Sequence, residues 1–177
     1  MEGLIHIYCG DGKGKTSAAV GQAVRSAGAG FSVVFVQFLK SGDSGELSSL
    51  ACVPGIRLVP CERCFGFFWD MDDEEKREAG EVYGALFERA WEMAVREAEK
   101  GDALLVMDEA VAACRHGFIK KERLLASLAG KPARLEVVMT GRNPEEELLA
   151  AADYVSEIRK VKHPFDRGIL ARKGIEY

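Results

Sequence analysis

The chain is poor in the residues that carry most protein-only catalysis and most covalent cross-linking. It holds three histidines and five cysteines among 177 residues, and an odd cysteine count argues against a disulfide framework. Cys61-Glu62-Arg63-Cys64 is the single C-x-x-C. It lacks a second pair or a nearby histidine, which speaks against a closed zinc site and leaves two readings: a redox pair, or reduced half-buried thiols. No apolar run approaches the roughly 20 residues needed to cross a bilayer, and the N-terminus shows no basic-then-apolar leader. The expected location is the cytoplasm, with no membrane partner. Positive charge is not in excess either: 24 Lys and Arg against 28 Asp and Glu give a net charge of -4. Broad electrostatic attraction to nucleic acid is therefore not expected, and any polyanion must be held by local groups. Prolines number only five, and neither a linker nor an internal repeat interrupts the chain. A single domain over residues 1–177, long enough to bury a substantial core, is the expectation.

What the chain does have is Gly10-Asp11-Gly12-Lys13-Gly14-Lys15-Thr16-Ser17, set between the apolar run Leu4 to Cys9 and a helical pattern beginning at Ala18. A strand feeding a glycine-rich turn that opens a helix is the context of a phosphate-binding loop. Glycines let successive N–H groups point at phosphate oxygens, and the helix N-terminus adds partial positive charge. Lys15 would reach the outer phosphates, and the Thr16 hydroxyl would sit on Mg²⁺. One departure stands out: the usual spacing puts a glycine five residues before Gly14, where this chain has Cys9, and Gly10 follows instead.

Strands and helices alternate along the rest of the chain. Strands are expected at Leu4–Cys9, Ser32–Phe38, Ile56–Pro60, Ala103–Met107, Leu135–Thr140 and Asp153–Val161, the near-continuous apolar run at Ser32–Phe38 being the mark of burial on both faces. Helices are expected at Lys15 to about Ala29, from Asp72 to about Lys100, near Lys120–Ala129 and at Pro144–Ala151, with residues 40–55 a loop holding at most one short helix. Asp72 with Glu75 three residues on predicts a capping box for the long helix, and Ala79, Tyr83, Leu86, Ala90 and Met93 its buried face. The fold class is α/β: a three-layer P-loop NTPase (RecA-like) fold with a mostly parallel central sheet, its ligands at the carboxyl ends of the strands.

Leu104-Leu105-Val106-Met107-Asp108-Glu109 supplies a buried strand ending in carboxylates, placed to hold Mg²⁺ directly or through water, or alternatively to cap a helix. Arg25, ten residues past Lys15, and Arg142, beyond the strand ending at Thr140, are further candidates for phosphate contact. Phe65-Gly66-Phe67-Phe68-Trp69 fits neither strand alternation nor helical spacing. It reads either as a loop tucked onto the core or as a hydrophobic wall for a large flat ligand, with Phe67 and Trp69 on one side if the segment is extended. The segment around His163 looks too specific for a frayed tail.

Together these segments resemble the ATP:cob(I)alamin adenosyltransferase family of cobalamin synthesis and salvage, the P-loop type. The resemblance rests on Gly10–Ser17, Arg25 with Gly28 and Gly30, Val36-Gln37-Phe38-Leu39-Lys40, Gly66-Phe67-Phe68-Trp69, Met107-Asp108-Glu109, Thr140-Gly141-Arg142 and the run from Asp153 through His163 to Tyr177. It implies transfer of the 5′-deoxyadenosyl group from ATP to the Co(I) of a corrinoid, with release of triphosphate. It further implies that Gly10, Gly12, Lys13, Gly14, Lys15, Thr16, Ser17, Arg25, Arg142 and His163 hold substrate, and that Thr16, Asp108 and Glu109 serve Mg²⁺. Phe67 and Trp69 correspond to aromatics that displace the corrinoid's lower axial ligand, which eases reduction of Co(II). An electron donor such as a flavodoxin or reduced flavin is implied, as is a homodimer. Phe68 stands where the family often has threonine. The chain begins a few residues before its first strand, so the N-terminal extension that caps the corrinoid in some relatives is expected to be missing. Two other readings compete: a P-loop ATPase or kinase cutting the β–γ bond, and a corrinoid carrier that uses ATP only as an effector.

Overall fold

The computed structural model describes residues 2–40, 44–63, 65–66 and 68–176. Six strands, β1 (Ile5–Cys9), β2 (Ser32–Gln37), β3 (Ile56–Val59), β4 (Ala103–Asp108), β5 (Leu135–Thr140) and β6 (Tyr154–Glu157), form one sheet in the order β3-β2-β4-β5-β1-β6. Every pairing is parallel. The helices between them are α1 (Lys15–Gly28), α2 (Gly45–Leu50), α3 (Asp73–Lys100), α4 (Ala110–Arg115), α5 (Lys121–Ala129) and α6 (Glu146–Ala151).

The apolar strands explain the layering. Along β2, Val33 and Phe35 face the side of Ala19 and Ala23 from α1, while Val34 and Val36 face Tyr83, Leu86 and Ala90 from α3. The same two-residue alternation continues through β4, where Leu104 and Val106 join the α1 layer and Leu105 and Met107 the α3 layer. The central sheet is thus covered on both faces, which is why its strands are continuously apolar.

Helix α3 starts as its sequence requires. The Asp72 carboxylate accepts from the Glu75 N–H at 2.8 Å, and the Glu75 carboxylate accepts from the Asp72 N–H at 3.1 Å, closing the capping box. The buried stripe runs through Ala79, Tyr83, Leu86 and Ala90 to Ala94. Met93 lies half-buried at the margin, because the helical period carries the stripe to the next residue.

Three expectations change. The last strand pairs only over Tyr154–Glu157, not to Val161, because the chain then turns onto the phosphate loop. Helix α4 follows β4 almost at once, through Glu109 in the left-handed conformation at φ 60°. Phe68–Asp70 form a 3₁₀ turn, so the extended alternative for the aromatic segment does not hold there.

Glu97 is buried at the opposite end of α3, where it accepts hydrogen bonds from Lys100 at 2.8 Å and Arg57 at 2.7 Å. The Lys100 contact, with Arg57 and Ser32, holds its carboxyl down at about 2. A carboxylate depressed in the folded state contributes stability that is present above its unfolded value and lost as pH falls through the folded one. Glu97→Gln should therefore cost on the order of 1–2 kcal/mol at neutral pH, its partners being exposed and screened by solvent. The gap in urea midpoint between parent and variant should close as pH drops from about 4.5 towards 2. A gap independent of pH would show that the ionised pairing is not what Glu97 contributes.

Candidate nucleotide site

Because the strands all run one way, their carboxyl ends form a single rim. Register sets Gln37 beside Asp108, Tyr8 beside Thr140 and Cys9 beside Glu157. The phosphate loop leaves this rim at Gly10 and re-enters helix α1 through Gly14, whose φ of 125° only glycine adopts readily.

The unusual glycine spacing has a steric cause. After β6 the chain crosses directly over the loop: Ile158 N–H donates to Cys9 O and Gly12 N–H to Ile158 O, both at 2.8 Å, and Lys160 N–H donates to the Asp11 carboxylate at 2.9 Å. A Cβ on Gly10 would lie 2.3 Å from Ile158 O, and one on Gly12 2.7 Å from the Arg159 carbonyl carbon. Cys9 is still the last residue of β1, so glycine is needed first at position 10.

Asp108 is fully buried at the end of β4. Its carboxylate accepts from Thr140 Oγ1 at 2.6 Å, Lys40 Nζ at 2.7 Å, Thr16 Oγ1 at 3.0 Å and Gln37 Nε2 at 3.2 Å. Thr140 Oγ1 also accepts from the Glu109 N–H at 2.8 Å, which fixes the strained start of α4. Gln37 in turn donates to Glu46 at 2.7 Å and accepts from Ser44 Oγ at 2.8 Å. Burial opposes charge on Lys40, but the Asp108 carboxylate and then Glu46 outweigh it and hold its pKa above the ordinary lysine value.

Above this network lies a cavity of about 700 Å³. Of the residues singled out from the sequence, Gly12, Lys13, Gly14, Lys15, Thr16, Ser17, Glu109, Arg142 and His163 line it, and Gly10 and Asp108 support it from beneath. Lys15 is buried and donates to Gly12 O at 2.8 Å. Burial first, then the neighbouring Arg142, lowers its pKa. Burial and then Asp108 push the Glu109 carboxyl up. His163 Nδ1 accepts from Phe165 N–H at 3.2 Å and starts the tail's 3₁₀ turn, Pro164–Arg167.

Two of the described residues do not join them. Arg25 lies in the last turn of α1 and does not line the cavity. Ten residues at about 1.5 Å each put it roughly 15 Å from Lys15 along the helix axis. Trp69 is 74% exposed on its 3₁₀ turn and lies outside this cavity. Phe67 and Cys64 fall outside the described residues. Around them, Phe65 packs on Tyr83 with ring centroids 5.6 Å apart, and Phe68 stacks on His116 at 3.9 Å. Among the lining residues given no role from the sequence are Lys40 with Glu46, and Gly174–Glu176 of the tail, although Lys40 and the tail lie in segments that carry the resemblance. A lysine just past a parallel strand's carboxyl end is a signal for the first; the second depends on tertiary folding.

Asp108, Thr16, Glu109 and Glu46 offer hard oxygen donors of the kind Mg²⁺ takes, though no group of three or more His, Cys, Asp or Glu among the described residues is set to hold a metal alone. The donor set fits Mg²⁺ that arrives with phosphate oxygens.

Over residues 1–177 the sequence matches the family described as ATP:corrinoid adenosyltransferase BtuR/CobO/CobP. It is 36% identical to a corrinoid adenosyltransferase of Pseudomonas aeruginosa, covering 99% of this chain and 84% of that one. It is 33% identical to the corrinoid adenosyltransferase of Escherichia coli K12 and to that of Salmonella typhimurium, in each case over 99% of this chain and 86% of the relative.

The close crossing of residues 158–159 makes loop geometry testable without touching a charged group. Gly12→Ala must displace backbone, so it should cost about 1–3 kcal/mol, the range for overpacking. Its affinity for Mg-ATP should fall at least tenfold. Gly21→Ala, at an exposed site in α1 with open space around it, should instead stabilise by about 0.5–1 kcal/mol and leave ATP affinity unchanged. Thermal melts and ATP titrations of the two variants check both statements; equal behaviour would refute the steric account.

Proposed function

Since this chain belongs to the ATP:corrinoid adenosyltransferase family, we propose that it moves the 5′-deoxyadenosyl group of ATP onto the Co(I) of a corrinoid and releases intact triphosphate. The observation that carries the reading is the convergence of Lys15, Thr16 and Asp108 beneath one cavity at the strand ends. The cobalt supplies the electron pair for the new Co–C5′ bond, the C5′–O bond breaks, and its electrons leave on the triphosphate. Cobalt passes from Co(I) to Co(III), and no proton moves. The residues therefore need only bind and orient.

Within this reading the N–H groups of the loop, Lys13, Lys15 and Arg142 hold the triphosphate chain. Lys15 would exchange the Gly12 carbonyl for a phosphate oxygen, and His163 would border the nucleotide from the tail. Thr16, Asp108 and Glu109 would hold Mg²⁺, which supplies charge neutralisation of the leaving triphosphate. Phe67 and Trp69 would displace the lower axial ligand of cob(II)alamin, so that a flavodoxin or reduced flavin can reduce it. The exposure of Trp69, on a turn anchored by Phe68 and Phe65, supports a role against a flat ligand. A homodimer acting in the cytoplasm completes the proposal; no helix among the described residues is long and apolar enough to cross a membrane.

Two outcomes are expected. Incubation with Mg-ATP and chemically reduced corrinoid should yield triphosphate; ADP and orthophosphate in stoichiometric amounts would move the assignment to an ATPase, and no phosphate product to a carrier. The double variant Phe67→Ala/Trp69→Ala should lose at least tenfold in rate with a flavin-type donor, recover much of the parent rate with pre-formed Co(I), and lose the four-coordinate cob(II)alamin spectrum. Equal losses with both electron sources would leave the aromatics as packing groups only.

A further inference from the structure

Lys40 has no assigned role, yet its ammonium occupies the centre of the oxygen cluster. Nζ lies 2.7 Å from Asp108 Oδ2, 3.2 Å from Thr16 Oγ1 and 3.3 Å from Glu46 Oε1. An ammonium has three N–H donors, and each has an oxygen within reach. Two of those oxygens are the groups through which this site would hold a divalent cation. The position is built: Leu39 adopts φ 58°, a left-handed conformation unfavourable for leucine, and so turns the chain at the end of β2 to send Lys40 back over Asp108. Gln37, which accepts from Ser44 Oγ, donates to Glu46 on the far side.

We propose that Lys40 is an internal stand-in for the divalent cation: it neutralises Asp108 while the nucleotide is absent, yields the carboxylate to Mg²⁺ when Mg-ATP binds, and then turns to the phosphates. The inference rests on the reading that Thr16 and Asp108 hold Mg²⁺. A fully buried carboxylate with no cation beside it is costly, so a charge must be present before the metal arrives. Mg²⁺ needs its ligand oxygens at about 2.0–2.1 Å, so it and an ammonium bound to the same carboxylate and hydroxyl oxygens exclude one another. The consequence is coupling. Free Mg²⁺ must expel Lys40 with only Glu46 left to receive it, whereas Mg-ATP brings several phosphate oxygens into the cavity that Lys40 lines. Lys40 would thereby suppress metal binding without nucleotide and favour it with nucleotide.

Mn²⁺ is the probe, followed by electron paramagnetic resonance in the nucleotide-free protein and with ATP. The parent should bind Mn²⁺ weakly alone and tightly with ATP. Lys40→Met should bind Mn²⁺ at least tenfold more tightly than the parent in the absence of nucleotide, and Mn-ATP more weakly. Lys40→Arg, which keeps the charge, should stay near the parent. Adding Asp108→Asn to Lys40→Met should abolish the gain. If Lys40→Met does not fold, Lys40→Gln, of similar reach but uncharged, takes its place. A folded neutral variant whose nucleotide-free Mn²⁺ affinity is unchanged or lower overturns the proposal. If instead Asp108→Asn leaves Mn-ATP binding of the parent intact, the metal assignment itself fails, and the two failures are told apart.

Discussion

A carboxylate removed wholly from water is the constraint around which this molecule is arranged. Asp108 ends the central strand β4, and its four donors come from four different places: Gln37 at the end of β2, Lys40 just beyond it, Thr16 in the first turn of α1, and Thr140 at the end of β5. Leaving such a charge unpaired costs several kcal/mol, so each donor is held in place by the penalty of losing it. The network also ties the phosphate loop's helix to three sheet termini. Changes at Asp108 would accordingly be felt at the start of α1 and in the turn at Glu109. Thr140 extends the chain of contacts by receiving the Glu109 N–H, so the turn into α4 depends on the same carboxylate.

A second constraint comes from the far end of the chain. The segment after β6 lies on the phosphate loop through backbone hydrogen bonds at Cys9, Gly12 and Ile158, and then continues to bring His163 and Gly174–Glu176 to the cavity. The loop therefore has its shape before any ligand arrives, with glycine demanded by contact at positions 10 and 12 and by backbone conformation at 14. A preformed cradle lowers the ordering cost of binding a flexible triphosphate.

Much of this was legible in the sequence because it is local. The loop, the two-sided burial of β2 and β4, and the capping box of Asp72 and Glu75 each depend on residues a few positions apart, and each stands where it was expected. The membership in the adenosyltransferase family was legible in the same way, through motifs spread over the whole chain. What escaped depends on three dimensions. Helix α4 starts from a left-handed Glu109 without glycine or proline to mark it, held by a threonine 31 residues away. Lys40 sat within a recognised motif, but its partners at Thr16, Glu46 and Asp108 come together only when β2 and β4 pair.

The charge of the cavity bears on how a chain of net charge -4 would bind a triphosphate. Lys13, Lys15, Lys40 and Arg142 line it, but so do Asp11, Glu46, Glu109 and Glu176, so the ionised side chains of the lining cancel, and Asp108 beneath adds a negative charge. Side chains alone thus leave no surplus to meet the several negative charges of a triphosphate. N–H groups at the start of α1 supply part of the remainder, and in the proposed function a cation that travels with the nucleotide would supply the rest. In such a balanced site no lysine can act as a fixed anchor for both protein and ligand. Lys15 sits on a loop carbonyl and Lys40 on Asp108; under the proposed function, phosphate oxygens would take over both lysines, and binding would be an exchange of partners in which a metal ion supplied the net gain in positive charge.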